Sequence, residues 1–310
     1  MDAIRDADID PAPLAGKRIA VIGYGNQGRA QALNLRDGSP SRDPVERDGL
    51  VARSLTEAAA GADLVMLLAP DETMGALYRT IEPRLRAGAA LGFSHGLAIR
   101  FQLIVPRADL DVIMVAPKGP GDTLRASYEA GEGMVALTAV AQDASGGAEA
   151  LALAYGRAIG CGRAGLIASS FAEECEADLF NEQAVVWGAV PEILIAGFDT
   201  LVEAGVSEQV AYMECVGELK LLADLIETRG IAGMREAISN TAELGAVIGG
   251  PKIVDDGVRA RMRAVLADVR EGRFAAALAD EEASGYPALK QARERARGLQ
   301  VEQARKRISD

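Results

Sequence analysis

The chain has 310 residues, 49% of them hydrophobic, and a formal net charge of −12 at pH 7. This length and apolar content allow two domains with separate cores, and the negative charge argues against nucleic acid and anionic membranes as partners. Three cysteines without a CxxC pair fit a reducing cytoplasm, and with a single histidine they cannot build a zinc site. The polar N-terminus does not resemble a secretory signal, and the apolar runs are too short to span a bilayer. We therefore expect a globular, cytoplasmic protein.

The first predicted strand is RIAVIG, residues 18–23, because it is a short apolar run that ends in glycine. A glycine turn follows and leads into a predicted helix. Gly23, Gly25 and Gly28 form a GxGxxG motif between the strand and the helix. This context predicts a dinucleotide site, because the glycines allow a pyrophosphate to approach the helix N-terminus. A purely structural glycine turn is the alternative.

Further strands are predicted along the chain in the segments 64–70, 89–96, 111–121 and 133–142. Helices are predicted between and after them in the segments 54–63, 71–85 and 145–160. Ser54 and Glu57 form a capping box at the start of the first of these helices. Strands that alternate with helices predict a parallel, doubly wound sheet.

From about residue 168 the apolar spacing is helical and no strand is predicted. The sequence therefore predicts an α/β domain, residues 1–165, followed by an all-α domain, residues 166–310. The tail from about residue 289 is highly charged, which predicts a helix on the surface.

The segment after the first helix shows no convincing second strand, although the acid or base that recognises the cofactor ribose normally follows such a strand. Arg42 and Arg47, with Ser39 and Ser41, would suit a 2′-phosphate and favour NADPH over NADH. A solvated loop is the alternative interpretation.

Two acidic pairs lie in apolar, helical segments: Asp178 with Glu182, and Glu214 with Glu218. Residues four apart share one face of a helix, where like charges repel. Two such pairs indicate a cationic ligand between them, whereas a solvated helix surface would explain either pair alone.

Together, the segments GYGNQGRAQALNLRDG, SHGLAIRF, LDVIMVAPKGPG, DLFNEQAV, ECVGELKL and ISNTAELG resemble ketol-acid reductoisomerase, also called acetohydroxyacid isomeroreductase, in its short class I form. The resemblance covers nearly the whole chain. It implies a Rossmann-like domain, then a knotted helical domain that forms a homodimer or higher oligomer. The implied activity is alkyl migration in a 2-acetohydroxy acid such as 2-acetolactate, followed by NAD(P)H reduction to a 2,3-dihydroxy acid, in branched-chain amino-acid biosynthesis.

The resemblance also implies roles for individual residues. The acids of the two pairs match the ligands of two Mg²⁺ ions, with the second pair supplied by the partner subunit. His95 and Lys118 match catalytic positions, and Ser239 a substrate-binding one, although Ser239 also suits a helix N-cap. His95 follows a predicted strand, which places it at the ligand-binding edge of the sheet. The matched cofactor-binding residues are Gly23, Tyr24, Gly25, Asn26, Gln27, Gly28, Asp71, Glu72, Thr73, Met74 and Gly121.

Three features depart from the family pattern: a shorter segment after Asp37, Arg29 and Gln31 in place of histidines, and Asp122 after KGPG. They leave alternatives open. One is a divergent paralogue of specialised metabolism that reduces a keto acid or imine without isomerising it, and whose activity would survive EDTA. Another is an isomerase or binding protein with lost or altered cofactor binding.

Overall fold

The computed structural model describes residues 3–35, 51 and 53–309. The chain divides into two compact units, Met1–Ala177 and Asp178–Asp310. The first unit contains a six-stranded sheet with helices on both faces. All regular elements that the structure describes in the second unit are helical. The predicted order, an α/β Rossmann-like region followed by an all-α region, is confirmed.

The strands of the sheet lie side by side in chain order. They are β1 (Ile19–Ile22), β2 (Leu64–Leu67), β3 (Ala90–Phe93), β4 (Asp111–Pro117), β5 (Ala136–Gln142) and β6 (Leu166–Ala168). Neighbouring strands from β1 to β4 are parallel, as are β5 and β6. β6 was not predicted, because three residues are too short for a periodicity signal.

The prediction of a fully parallel sheet is wrong at one junction, because β4 and β5 are antiparallel. Pro117 at the end of β4 pairs with Ala136 at the start of β5, so the chain re-enters the sheet at the edge it left. The helix between them, α5 (Gly121–Glu129), packs against α1 (Asn26–Leu35). A parallel connection would instead have to return to the opposite edge of the sheet by a crossover.

The remaining helices of the first unit are α2 (Leu55–Ala59), α3 (Met74–Ile81), α4 (Leu97–Arg100), α6 (Ala148–Ala158) and the first half of α7 (Phe171–Ala184). The predicted capping box of α2 is present, since the Ser54 backbone N–H donates to Glu57 Oε2 over 3.0 Å. β2 is buried throughout, and its alternate residues contribute to two separate cores. The sheet is therefore covered on both faces, as its continuous apolar strands require.

The second unit continues with α8 (Ala189–Glu203), α9 (Glu208–Tyr212), a π-helical turn (Met213–Gly217), α10 (Leu219–Ala237) and α11 (Asn240–Ile253). It ends with α12 (Asp256–Arg270), α13 (Arg273–Ala283), α14 (Pro287–Arg297) and α15 (Gln300–Ser309). α10 is interrupted at Gly230, whose φ of 67° lies outside the helical region. The tail prediction is wrong in part: Val301 and Ala304 of α15 are buried in a small core with Phe198 and Ala211.

The stretch Phe171–Glu203 contains a window of mean hydropathy 1.6, enough by composition for a membrane span. It forms two helices, α7 with 14 residues and α8 with 15. Each is shorter than the roughly 20 residues that a spanning helix needs.

Candidate active site

The three glycines of the GxGxxG motif have different roles at the end of β1. Gly23 has a φ of 94°, and a Cβ there would overlap the backbone of Leu68 and Ala69. A Cβ at Gly28 would overlap the carbonyl oxygen of Gly23, whereas a Cβ at Gly25 would meet nothing within 4 Å. The first and third glycines therefore serve the tight turn and close packing, and the second leaves open space for a ligand.

A cleft of about 330 Å³ opens beside this turn at the carboxyl ends of β1, β2 and β3. It is lined by Gly23, Tyr24, Gly25, Asn26, Gln27, Leu67, Leu68, Ala69, Pro70, Asp71, Met74, Ser94 and His95. Seven of the predicted cofactor residues thus line one cleft. Ligands of open α/β sheets bind at this edge, so the cleft is the candidate cofactor site.

Four predicted cofactor residues lie next to the cleft and do not line it. Gly28 is buried in the first turn of α1, and Glu72 and Thr73 belong to a 3₁₀ turn before α3. Gly121 begins α5, and its N–H donates to Asn26 Oδ1. A Cβ at Gly121 would overlap the carbonyl oxygen of Asn26, so this glycine allows the N-termini of α1 and α5 to meet.

His95 and Lys118, predicted from separate motifs, are joined by a residue that the sequence did not single out. Glu174 of α7 is 1% exposed and accepts at Oε1 from Lys118 Nζ over 3.1 Å. Its Oε2 lies 3.0 Å from His95 Nδ1 and accepts from the Gly96 N–H over 2.8 Å. One buried carboxylate therefore brings together both predicted catalytic residues.

The opposite charges of His95 and Glu174 stabilise each other. Burial alone would lower the pKa of His95, but hydrogen bonds with Cys175 and Glu174 and the charges of Glu174 and Asp71 raise it well above its usual value. Burial alone would raise the pKa of Glu174, but the hydrogen bond and charge of His95, with Lys118 and the Gly96 N–H, lower it. We therefore assign an ionised Glu174 and a protonated His95 at neutral pH.

The start of α7 packs tightly against the turn after β3. A Cβ at Gly96 would overlap the carbonyl oxygen of Phe171, so glycine is required for this approach. A side-chain pair also joins α7 to this region, since Arg100 donates from Nε and Nη2 to Glu176 Oε1 at 3.1 Å. A sequence signal for Glu174 did exist, because it precedes Asp178 by one helical turn. The signal could not show which acid of FAEECEAD is buried.

The four acids predicted to bind metal all lie in the second unit. Asp178 is half-buried and Glu182 exposed on α7, while Glu214 lies in the π-helical turn and Glu218 directly follows it, both exposed. Among the residues that the structure describes, Glu182, Glu214 and Glu218 do not join any group of three or more close metal-ligating side chains. Their all-oxygen chemistry fits a hard divalent cation such as Mg²⁺, and π-helical turns occur often at functional sites.

Ser239 is the N-cap of α11, where its Oγ accepts from the Ala242 N–H over 3.2 Å. It is exposed, so the hydroxyl remains accessible to a substrate. Ser39, Ser41, Arg42 and Arg47, predicted to favour NADPH, lie outside the described residues, as does Asp37.

We predict that an added methyl group lowers stability at one glycine of the turn and weakens cofactor binding at another. Gly28→Ala should reduce the free energy of unfolding by about 2 kcal/mol or more, because the Cβ overlaps the carbonyl oxygen of Gly23. Gly25→Ala, the matched control, should change it by less than about 0.5 kcal/mol and weaken the binding of a reduced nicotinamide dinucleotide on the order of tenfold. Urea unfolding and calorimetric titration measure the two effects. Equal stability of both variants would contradict the assignment.

We also predict that His95 titrates well above its usual pKa. Since it is the single histidine of the chain, NMR of ¹⁵N-histidine-labelled protein reports this group alone. Glu174→Gln should lower the pKa of His95, because the hydrogen-bonded anion is lost, whereas Glu176→Gln on the same helix should not.

Because the pKa of His95 is raised in the folded state, the stability of the protein should depend on pH. The contribution of His95 to stability is fully present below its unfolded pKa of about 6.5 and is lost as the pH rises through the folded value. An unperturbed pKa of His95 in the wild type would refute the cluster.

Comparison with known proteins identifies the family. Residues 13–165 match the acetohydroxy acid isomeroreductase NADPH-binding domain, and residues 171–310 match the ketol-acid reductoisomerase C-terminal domain. The structure is similar to an NADH-preferring ketol-acid reductoisomerase from an uncultured archean, with 41% identity and a TM-score of 0.94 over 100% of this chain and 98% of that one. A semialdehyde dehydrogenase NAD-binding protein from Cupriavidus necator, 20% identical over 83% of this chain and 99% of that one with a TM-score of 0.60, shares the fold alone. The chain belongs to the ketol-acid reductoisomerase family.

Proposed function

We propose that the chain converts a 2-acetohydroxy acid such as 2-acetolactate, by magnesium-dependent alkyl migration and NAD(P)H reduction, into a 2,3-dihydroxy acid for branched-chain amino-acid biosynthesis. Its family makes it an NAD(P)H-dependent oxidoreductase with isomerase activity. The observation that carries the proposal is Glu174, which joins His95 and Lys118 where the glycine cleft opens.

The cleft along the glycine turn is the proposed site of the nicotinamide cofactor, which supplies the hydride. Among the described residues that line it there is no lysine or arginine. Arg42 and Arg47 lie outside the described residues, and the similar archaeal protein prefers NADH. We therefore propose NADH as the preferred cofactor, in place of the NADPH that the sequence favoured.

The carboxylates of Asp178, Glu182, Glu214 and Glu218 are the proposed ligands of two Mg²⁺ ions. When bound, such ions supply Lewis-acid polarisation of the ketone and of the neighbouring hydroxyl oxygen of the substrate. The protein itself supplies Lys118 and a protonated His95 as cationic groups, which can stabilise a developing negative charge on oxygen or transfer a proton to it. Glu174 orients both groups through its two oxygens, and its charge raises the pKa of His95. Ser239 is the proposed hydroxyl contact of the substrate.

We also propose a homodimer or higher oligomer in which the second acid pair comes from a partner subunit, and the knotted helical path that the family resemblance implies. Two observations support an oligomer. Glu214 and Glu218 are exposed. Large apolar side chains of α10 and α11 are exposed as well, with Ile231 at 62% and Leu244 at 61%. The proposed location is the cytoplasm, which agrees with three cysteines that form no disulfide.

The decisive assay is incubation with 2-acetolactate, Mg²⁺ and NADH or NADPH while the absorbance of the reduced nicotinamide is followed. We expect oxidation with a higher kcat/KM for NADH, complete loss of activity in EDTA, and recovery when Mg²⁺ is added. Asp178→Asn and Glu218→Gln should each lower kcat more than about 100-fold, because each removes a carboxylate ligand.

The matched control is Asp199→Asn on α8, which removes an exposed acid outside the proposed set and should leave kcat unchanged. The rearranged 2-keto acid, supplied directly, isolates the reduction step from the migration. Oxidation that persists in EDTA with 2-acetolactate would refute the metal assignment. Reduction of keto acids without any turnover of 2-acetolactate would indicate a simple reductase.

A further inference from the structure

Behind the cofactor cleft lies a chain of buried polar side chains that the mechanism above does not use. Gln31 of α1 and Tyr155 of α6 are both fully buried. Gln31 donates from Nε2 to Ser94 Oγ over 2.8 Å and to Gln27 Oε1 over 3.1 Å, while the Tyr155 hydroxyl donates to Gln31 Oε1 over 3.0 Å. Because Gln27 and Ser94 line the cleft, this network reaches two of its walls.

The direction of every hydrogen bond in this network follows from the groups at its ends. Gln27 Nε2 donates to the carbonyl oxygen of Gly119 over 2.7 Å, and a carbonyl can only accept. Gln27 therefore presents Oε1 to Gln31, and Gln31 must donate a hydrogen bond to it from Nε2. This orientation leaves Gln31 Oε1 facing Tyr155, whose pKa is raised by burial, so the phenol stays protonated and donates.

These hydrogen bonds determine whether the Ser94 hydroxyl can donate to or accept from a further partner. Its hydroxyl donates its single proton to the carbonyl oxygen of Val115 over 2.9 Å and accepts one hydrogen bond from Gln31. A hydroxyl has two acceptor positions, so one remains. A ligand in the cleft that reaches this hydroxyl thus meets an acceptor with no proton to donate.

We propose that Ser94 binds the nicotinamide dinucleotide as a hydrogen-bond acceptor, and that Gln31 is the positioning residue that holds Ser94 and Gln27 for this contact. The proposal rests on the cofactor site proposed above. A reduced dinucleotide offers donors of the required kind in the amide of its nicotinamide and in its ribose hydroxyls. The same network joins Gly119 of the KGPG loop to the glycine turn, so it orients three segments around one ligand.

The test is calorimetric titration of full-length wild type and Ser94→Ala with NADH and with its 3-acetylpyridine analogue, in which a methyl ketone replaces the amide. We expect Ser94→Ala to weaken NADH binding about five- to tenfold, the effect of one hydrogen bond. If the donor is the amide, Ser94→Ala changes the affinity for the analogue less than about twofold. If the donor is a ribose hydroxyl, both ligands lose the same factor. Ser127→Ala on α5, outside the cleft, is the control.

Gln31→Met tests the positioning role, because it keeps the side-chain length and removes the amide. We expect weaker NADH binding, and a loss in the Gln31→Met/Ser94→Ala double variant that is smaller than the product of the single losses, since both act through Ser94. Tyr155→Phe, which removes only the outermost donor, provides a milder variant if Gln31→Met does not fold.

Two results would overturn the inference. If folded Ser94→Ala binds NADH within twofold of the wild-type affinity, Ser94 does not contact the cofactor. If the affinity loss of the double variant equals the product of the two single losses, Gln31 does not act through Ser94. If the wild type binds neither NADH nor NADPH, the proposed cofactor site itself fails, and the inference fails with it.

Discussion

The arrangement of the site depends on the buried carboxylate of Glu174. Its two oxygens engage His95 and the Gly96 N–H, both from the turn after β3, and Lys118 from the loop after β4. An ionised carboxylate at 1% exposure is stable only with such partners, and its charge in turn raises the pKa of His95. Removing the Glu174 carboxylate would remove the anion that His95 and Lys118 both contact. The cluster is therefore one electrostatic unit, which joins residues of two separate motifs to α7.

The surrounding backbone makes this unit possible. Gly96 allows α7 to approach the turn after β3, and the Arg100–Glu176 pair joins the next turn of α7 to α4. On the other side of the cleft, Gly23 and Gly28 bring α1 close to β1 and β2. Glycine and charge thus cooperate: the glycines permit the short backbone distances, and the buried polar groups give those distances a single arrangement. The Tyr155–Gln31–Ser94 network also fixes a single arrangement, but its groups are neutral and the direction of each hydrogen bond does what charge does around Glu174.

The second unit differs from the first in the exposure of its candidate site residues. Its predicted metal ligands are mostly exposed, and so are large apolar residues of α10 and α11. The proposed oligomer would cover such apolar residues and complete the proposed metal site. A second copy of the chain is the proposed occupant, because it would cover the apolar surface and bring a second pair of acids.

The sequence by itself determined the elements with strong local signals: five of the six strands, the GxGxxG turn, the capping box of α2, the helical character after residue 168, and the motifs that identify the family. These signals depend on neighbouring residues, through side-chain periodicity or backbone sterics, and can be read without long-range information. Only the tertiary structure decided that β5 runs antiparallel to β4, that Val301 and Ala304 are buried, and that Glu174, Gln31 and Ser94 belong to the site. Each of these outcomes depends on a partner far away in the chain, and an acid or amide carries no local mark of whether it will be buried. The structure therefore decided which polar side chains surround the cofactor cleft.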